Sequence, residues 1–261
     1  SDWKSRYNIL SRSKIFFNER RGCILRPKRA AQLNPRLTKV ASMVRPHAVF
    51  ADIGCDHGHL AIELMRRGAI RGYACDINEK PLQNAKANIA AAGFSQQIQT
   101  VLTDGLQHLE HSGITDVTIA GIGGEVITEI LRQAQFLKDP AIRLILQPQS
   151  REHILRTFLA ENGFSLLQEE AVRSDRYVYT IITAEYTGKT QSLTMLQAFS
   201  GLLAENHTPE AAEKLSKTAQ FLKNTAKGVA KSGSQIQADR MQQTAEQLSQ
   251  IATQILTGFP G

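Results

Sequence analysis

The sequence predicts an α/β fold, a seven-stranded and mostly parallel sheet wrapped by helices, followed by a C-terminal α-helical hairpin of coiled-coil type. Three observations predict it. From Val49 onward, short apolar runs alternate with amphipathic stretches, as parallel strands and their crossover helices do. After the fifth such unit the order changes to two long β-type runs joined by a polar turn. Beyond Tyr186 the strand patterns stop, and apolar residues recur at helical spacings.

The elements follow in order. Asn34–Val44 reads as a short helix, with Arg36 and Lys39 beside Leu37, Val40 and Met43. Val49–Gly54 is the first strand and Leu60–Arg67 lies in its helix; Gly72–Asp76 is the second, followed by a helix around Pro81–Ala92. Ile98–Leu102 is a short third strand. Asp116–Gly121 is the fourth, with a helix over Val126–Gln135, and Arg143–Gln147 the fifth, with Arg151–Glu161 as its helix. Phe164–Val172 and Tyr177–Glu185 then form an antiparallel hairpin across Arg173-Ser174-Asp175-Arg176. Class I methyltransferases close their sheet in this way, whereas NAD-binding Rossmann domains usually continue with a parallel sixth strand. In the tail, Thr208-Pro209-Glu210 combines an N-cap hydroxyl, proline at the first helical position and an acid in the first turn. Ser232-Gly233-Ser234 separates that helix from a second one running to about Leu256. Leu215, Leu222 and Ala226, then Ile236, Leu248, Ile251 and Ile255, are the apolar positions expected to pair the two as an antiparallel hairpin. Three segments result: a basic extension over residues 1–32, a Rossmann-like domain over 33–186 and a helical domain over 187–261.

Composition narrows the function classes. The net charge of +7 lies wholly in residues 1–32, where nine Lys/Arg face only Asp2 and Glu19; the remaining chain balances 22 basic against 22 acidic groups. That extension reads either as a nucleic-acid-binding arm or as a leader, so the charge alone is poor evidence for RNA. No apolar run approaches the roughly 20 residues of a membrane span. Cys23, Cys55 and Cys75 have neither metal-ligand spacing nor an even count, which fits a reducing cytoplasm. His57 and His59 flank Gly58 without the rest of a ligand set, so no metal is expected.

The chemistry concentrates at strand ends. Asp52-Ile53-Gly54-Cys55-Asp56-His57-Gly58-His59 stands where the first strand turns into its helix. Glycine there lets backbone approach a ligand, and the helix N-terminus offers free N–H groups to its polar end. The motif is not G-x-G-x-x-G. Asp52 and Asp56 would repel a pyrophosphate while suiting an ammonium or sulfonium, which favours a cationic cofactor. Asp76 ends the second strand 22 residues beyond Gly54, near the roughly 20-residue offset of an acid that accepts ribose hydroxyls. Asp104-Gly105 follows the third strand, and Asp-Gly is also the plainest of turns. Three acids at three successive strand ends are harder to dismiss than any one. Ala120-Gly121-Ile122-Gly123-Gly124 ends the fourth strand, where small residues leave room for a flat base, or merely let strand and helix pack closely. Gln147 after the fifth strand offers an amide able to read a base edge.

Together, Asp52-Ile53-Gly54-Cys55-Asp56-His57-Gly58, Asp76-Ile77-Asn78, Asp104-Gly105, Ala120-Gly121-Ile122-Gly123-Gly124 and Leu146-Gln147-Pro148 resemble the bacterial TrmK family. These are tRNA (adenine(22)-N1)-methyltransferases with a class I fold and a C-terminal coiled-coil domain. The resemblance begins near Leu33 and covers the catalytic domain to about Glu185; beyond that it is helical pattern. It implies S-adenosyl-L-methionine as cofactor, bordered by Asp52, Gly54, Asp56, His57, Asp76, Asp104, Gly105, Ala120 and Gly121. It implies a tRNA partner and a methyl and target base beside Gly121, Gly123 and Gly124, with Gln147 as a further substrate contact. Asp56, at the mouth of the cofactor loop, is the candidate for electrostatic catalysis. Two rival readings stay open at this point. One is a methyltransferase for a protein or small molecule whose tail dimerises, and the other a non-catalytic RNA-binding module. The sequence fixes no oligomeric state.

Overall fold

A computed structural model describes residues 33–258; the basic extension lies outside the described residues. Helix α1 spans Pro35–Met43, capped by Asn34, whose side chain accepts the Leu37 N–H at 2.9 Å. The sheet then alternates with helices: β1 Val49–Ile53, α2 His59–Arg66, β2 Arg71–Asp76, α3 Glu79–Ala91, β3 Ile98–Leu102, β4 Asp116–Ile122, α4 Gly124–Gln133, β5 Arg143–Pro148 and α5 Glu152–Glu161. Strands β6 (Phe164–Ser174) and β7 (Tyr177–Tyr186) close it. The strand order is β3-β2-β1-β4-β5-β7-β6, parallel through β5 and antiparallel from β7. That is the seven-stranded sheet expected of the closing hairpin. The hairpin turns over Asp175 and Arg176, with Asp175 in the left-handed region at φ +54°.

Alternation along the central strands assigns the two faces. Phe50 and Ala74 face α1, α2 and α3, packing with Val40, Leu64 and Ile89. Ala51, Ile53 and Cys75 face the other way, against Ile127 and Leu131 of α4 and Leu155 and Leu159 of α5. Both faces are therefore apolar, as a parallel sheet covered on two sides requires. Gly72 is needed for this packing. A Cβ there would come within 2.0 Å of the buried Phe50 ring.

The tail begins with α6 (Met195–Ser200), a six-residue helix opened by a capping box in which Thr194 and Gln197 satisfy each other's backbone. A 3-10 turn over Gly201–Glu205 leads to α7 (Pro209–Lys231) and α8 (Gln235–Thr257), which pack antiparallel through Leu215, Leu222, Leu248 and Ile255. Thr208 caps α7, accepting the Ala211 N–H at 3.2 Å, as Thr208-Pro209-Glu210 predicts. Ile236 departs from expectation and is exposed. It sits in the first turn of α8 beside the Ser232–Ser234 connection, where the seam has not yet closed; Ala238 takes the inward position. No described helix is long and apolar enough to cross a membrane.

Candidate active site

The carboxyl ends of β1, β2, β3, β4 and β5 share one edge of the sheet, the edge at which open α/β sheets bind ligands. The loop after β1 turns tightly, with Gly54 at φ +74° and Gly58 at φ +70°. The Gly54 and Cys55 N–H groups both donate to Cys75 O at 2.9 Å, tying this loop to β2. A Cβ on Gly54 would meet nothing within 4 Å, so the loop borders open space there. Gly58 has a packing role, since a Cβ would press on Ala85 of α3 at 3.1 Å.

Asp52 and Asp76 are buried beneath that loop. Asp52 Oδ1 accepts the Thr118 hydroxyl at 3.0 Å, but Oδ2 has no hydrogen-bond partner among the described residues. Burial raises its pKa to about 7, and Asp76 nearby adds to the rise; the Thr118 hydroxyl and the Ala61 N–H oppose it. The folded value lies above the ordinary one of 3.8. This carboxyl therefore favours folding most below that ordinary value, and the contribution fades as pH climbs through about 7. A buried carboxylate oxygen without a donor is suited to a cation. Asp76 Oδ1 accepts the Asn78 N–H at 2.9 Å and Oδ2 the Asp56 N–H at 3.2 Å, which holds the carboxylate at the strand end. Asp56 itself is exposed, at φ +49°, with His57 beside it. Asn88 of α3 donates to His57 O at 3.0 Å, fixing the loop from its other side. Cys55 is a buried spacer whose thiol is pushed up by burial and by neighbouring carboxylates.

Asp104 is exposed after β3, and Gly105 at φ +62° faces Ile130. Two apolar side chains missed in the sequence stand between these acids. Ile77 and Leu102 are 61% and 57% exposed at the ends of β2 and β3, with Leu102 paired to Asp76 across the ladder. They offer apolar surface to the faces of a flat heterocycle. For Ile77 the readable signal is an apolar residue directly after the strand-end acid Asp76; Leu102 precedes Asp104 by two residues and carries no such signal.

At the end of β4, the register shifts between Ala120 and Ile122 as Gly121 takes φ +87°, a bulge of the kind that re-aims backbone beside active sites. Gly123 has room beside Ser150. Gly124 has none. A Cβ there would lie 2.6 Å from Arg151 O, and its N–H donates to Ser150 O at 2.8 Å, so close packing accounts for this glycine. Gln147 also differs from expectation. It is fully buried; its carbonyl accepts from Arg36 and its amide donates to Pro148 O at 2.8 Å, so it positions an arginine instead of presenting an amide to a base. The exposed amide here is Gln149.

Arg36 is the largest omission. It reaches from α1 across the sheet edge to Gln147, lies over the Tyr179 ring, and comes within 3.3 Å of where a Gly121 Cβ would stand. Partial burial lowers its pKa. Its 111-residue separation from Gln147 hid the contact from local reading. No group of three or more His, Cys, Asp or Glu among the described residues is arranged to hold a metal.

Residues 33–182 match the methyltransferase-domain family. The chain is 29% identical over 173 residues to the tRNA (adenine(22)-N(1))-methyltransferase of Bacillus subtilis, over 66% of this chain and 73% of that protein. It is 33% identical over 181 residues to a proposed tRNA methyltransferase of Mycoplasma pneumoniae, over 66% of this chain and 81% of that one. It also superposes, with a TM-score of 0.71 and 32% identity, on a solved Streptococcus pneumoniae protein. That protein is proposed as a tRNA (m1A22) methyltransferase and is bound to S-adenosyl-L-methionine; the match covers 82% of this chain and 98% of that one.

Proposed function

The chain belongs to the methyltransferase-domain family, and on that premise we propose that it transfers a methyl group from S-adenosyl-L-methionine to N1 of adenine 22 in tRNA. The single observation that carries the cofactor reading is the buried, unpartnered Oδ2 of Asp52 beneath the open Gly54 loop, which matches a group bearing ammonium and sulfonium charges. Asp76 would accept the ribose hydroxyls, Asp104 and Gly105 would border the adenine, and Ile77 and Leu102 would flank its faces. Gly54, His57 and Ala120 would complete the cofactor border. Gly121 and Gly123 would leave room for the methyl and the target base. The cytoplasm is the compartment this reading assigns.

The bound cofactor supplies an electrophilic methyl on a sulfonium. N1 of adenine attacks through its ring lone pair, the sulfur leaves as a neutral thioether, and the positive charge passes to the base. No proton moves in this step. The protein's work is therefore alignment and electrostatic stabilisation of the charge arriving on the base. We assign the second task to the exposed carboxylate of Asp56.

The two acids should separate in one experiment. Asp76→Ala should weaken cofactor affinity measured by calorimetry by about 2 kcal/mol, the loss of two hydrogen bonds to a charged acceptor. Asp56→Asn should leave that affinity nearly unchanged while lowering single-turnover methylation of tRNA by on the order of tenfold to a thousandfold. Unchanged affinity in folded Asp76→Ala, or an unchanged rate in Asp56→Asn, removes the corresponding residue from its role.

A further inference from the structure

We propose that the row formed by Arg36, Tyr179, Tyr177 and Arg176 is a stacking platform for unpaired nucleotides flanking the methylated base. The inference rests on the tRNA reading and names a surface that such a substrate would use. Tyr177 and Tyr179 stand two apart on β7 and so share one face of the strand, with ring centroids 6.2 Å apart. The Arg36 guanidinium lies 5.5 Å from the Tyr179 centroid and that of Arg176 5.1 Å from Tyr177, both within the ~6 Å reach of a cation–π contact. The row has a direction. At one end Arg36 adjoins Gly121, and at the other the β6–β7 turn leaves the Tyr177 residue 50% exposed.

Across from the row, α7 contributes Phe221, also 50% exposed, and Lys217. Both tyrosines and these two residues line one cleft of about 720 Å³ that extends to Gln149 and Arg151 at the active-site edge. Two large aromatic side chains left half in water on opposite walls of a cleft mark a recognition surface more than a core. The charges point the same way. Glu152, the acid that lines the cleft, is paired with Lys214, and the lining cations Arg156 and Lys217 are paired with Glu169 and Glu213 behind it. Arg36, Arg151 and Arg176 form no ion pair among the described residues. Guanidinium groups outside any ion pair, interleaved with rings that are partly or fully exposed, match a ligand with both phosphates and bare base faces. Single-stranded nucleic acid has both, whereas a duplex hides its base faces.

The test uses the full chain and an unmodified tRNA transcript, with equilibrium binding measured over a series of salt concentrations. Tyr177→Ala and Phe221→Ala should each weaken binding by on the order of tenfold without changing the slope of affinity against salt, because stacking releases no counterions. Tyr177→Phe should keep wild-type affinity. Arg176→Ala should reduce the slope by about 0.7–1. Unchanged cofactor affinity in each variant establishes that it is folded. Wild-type tRNA affinity in both alanine variants overturns the platform, as does a Tyr177→Phe variant as weak as Tyr177→Ala. Wild-type protein that neither binds nor methylates tRNA overturns the underlying function instead.

Discussion

Glu169→Leu should destabilise the protein by about 3–5 kcal/mol in urea unfolding, because it strands Arg156 as a buried charge without its partner. Both side chains are almost fully buried, and Arg156 Nε donates to Glu169 at 2.7 Å. The pair joins the catalytic domain to the tail. Arg156 also donates to Ala198 O at 2.8 Å and Phe199 O at 3.1 Å, while Glu169 accepts the Leu202 N–H at 2.6 Å. The double variant Arg156→Met with Glu169→Leu should recover much of the loss, since an apolar pair of similar volume leaves no unpaired charge. A loss below about 1 kcal/mol in the single variant would mean that water reaches Arg156.

Truncation after His207, which removes α7 and α8, should lower tRNA methylation by on the order of a hundredfold or more while cofactor affinity changes little. The magnitude follows from losing the α7 wall of the cleft, Phe221 together with Lys217, stacking on an aromatic ring being worth roughly 1–3 kcal/mol per base. The cut keeps α6 and the following 3-10 turn, so the partners of Arg156 and Glu169 remain. The two clusters that pack the sheet contain no residue of the tail. Cutting after Tyr186 would instead expose the Arg156–Glu169 joint and confuse lost recognition with lost folding. A folded truncation that methylates tRNA at the full-length rate would give the hairpin another role.

Much of this was legible because it is local. The apolar runs and their alternation with helices mark β1 to β5, and Asp175-Arg176 between two β-type runs marks the closing hairpin. Strand-end acids are readable by position, because topology alone brings the ends of β1, β2 and β3 to one edge. What stayed hidden depends on distant partners. Gln147 looks like a free amide until Arg36 arrives from α1, and no local pattern joins Arg156 of α5 to Glu169 of β6. The row of Arg36, Tyr179, Tyr177 and Arg176 is likewise assembled from both ends of the catalytic domain. Helix α6 has six residues, too few to display a period, although Thr194 and Gln197 carried its capping signal. The Gly124 contact with Arg151 is a matter of fit between two loops that no spacing rule reads.

Methyl transfer to N1 of adenine 22 is measured by incubating the protein with methyl-labelled S-adenosyl-L-methionine and unmodified tRNA, then digesting the product to nucleosides. Label is expected in 1-methyladenosine, and none when adenine 22 is replaced by another base. Label in a different nucleoside, label that survives that replacement, or label incorporated only into protein or small-molecule acceptors would contradict it.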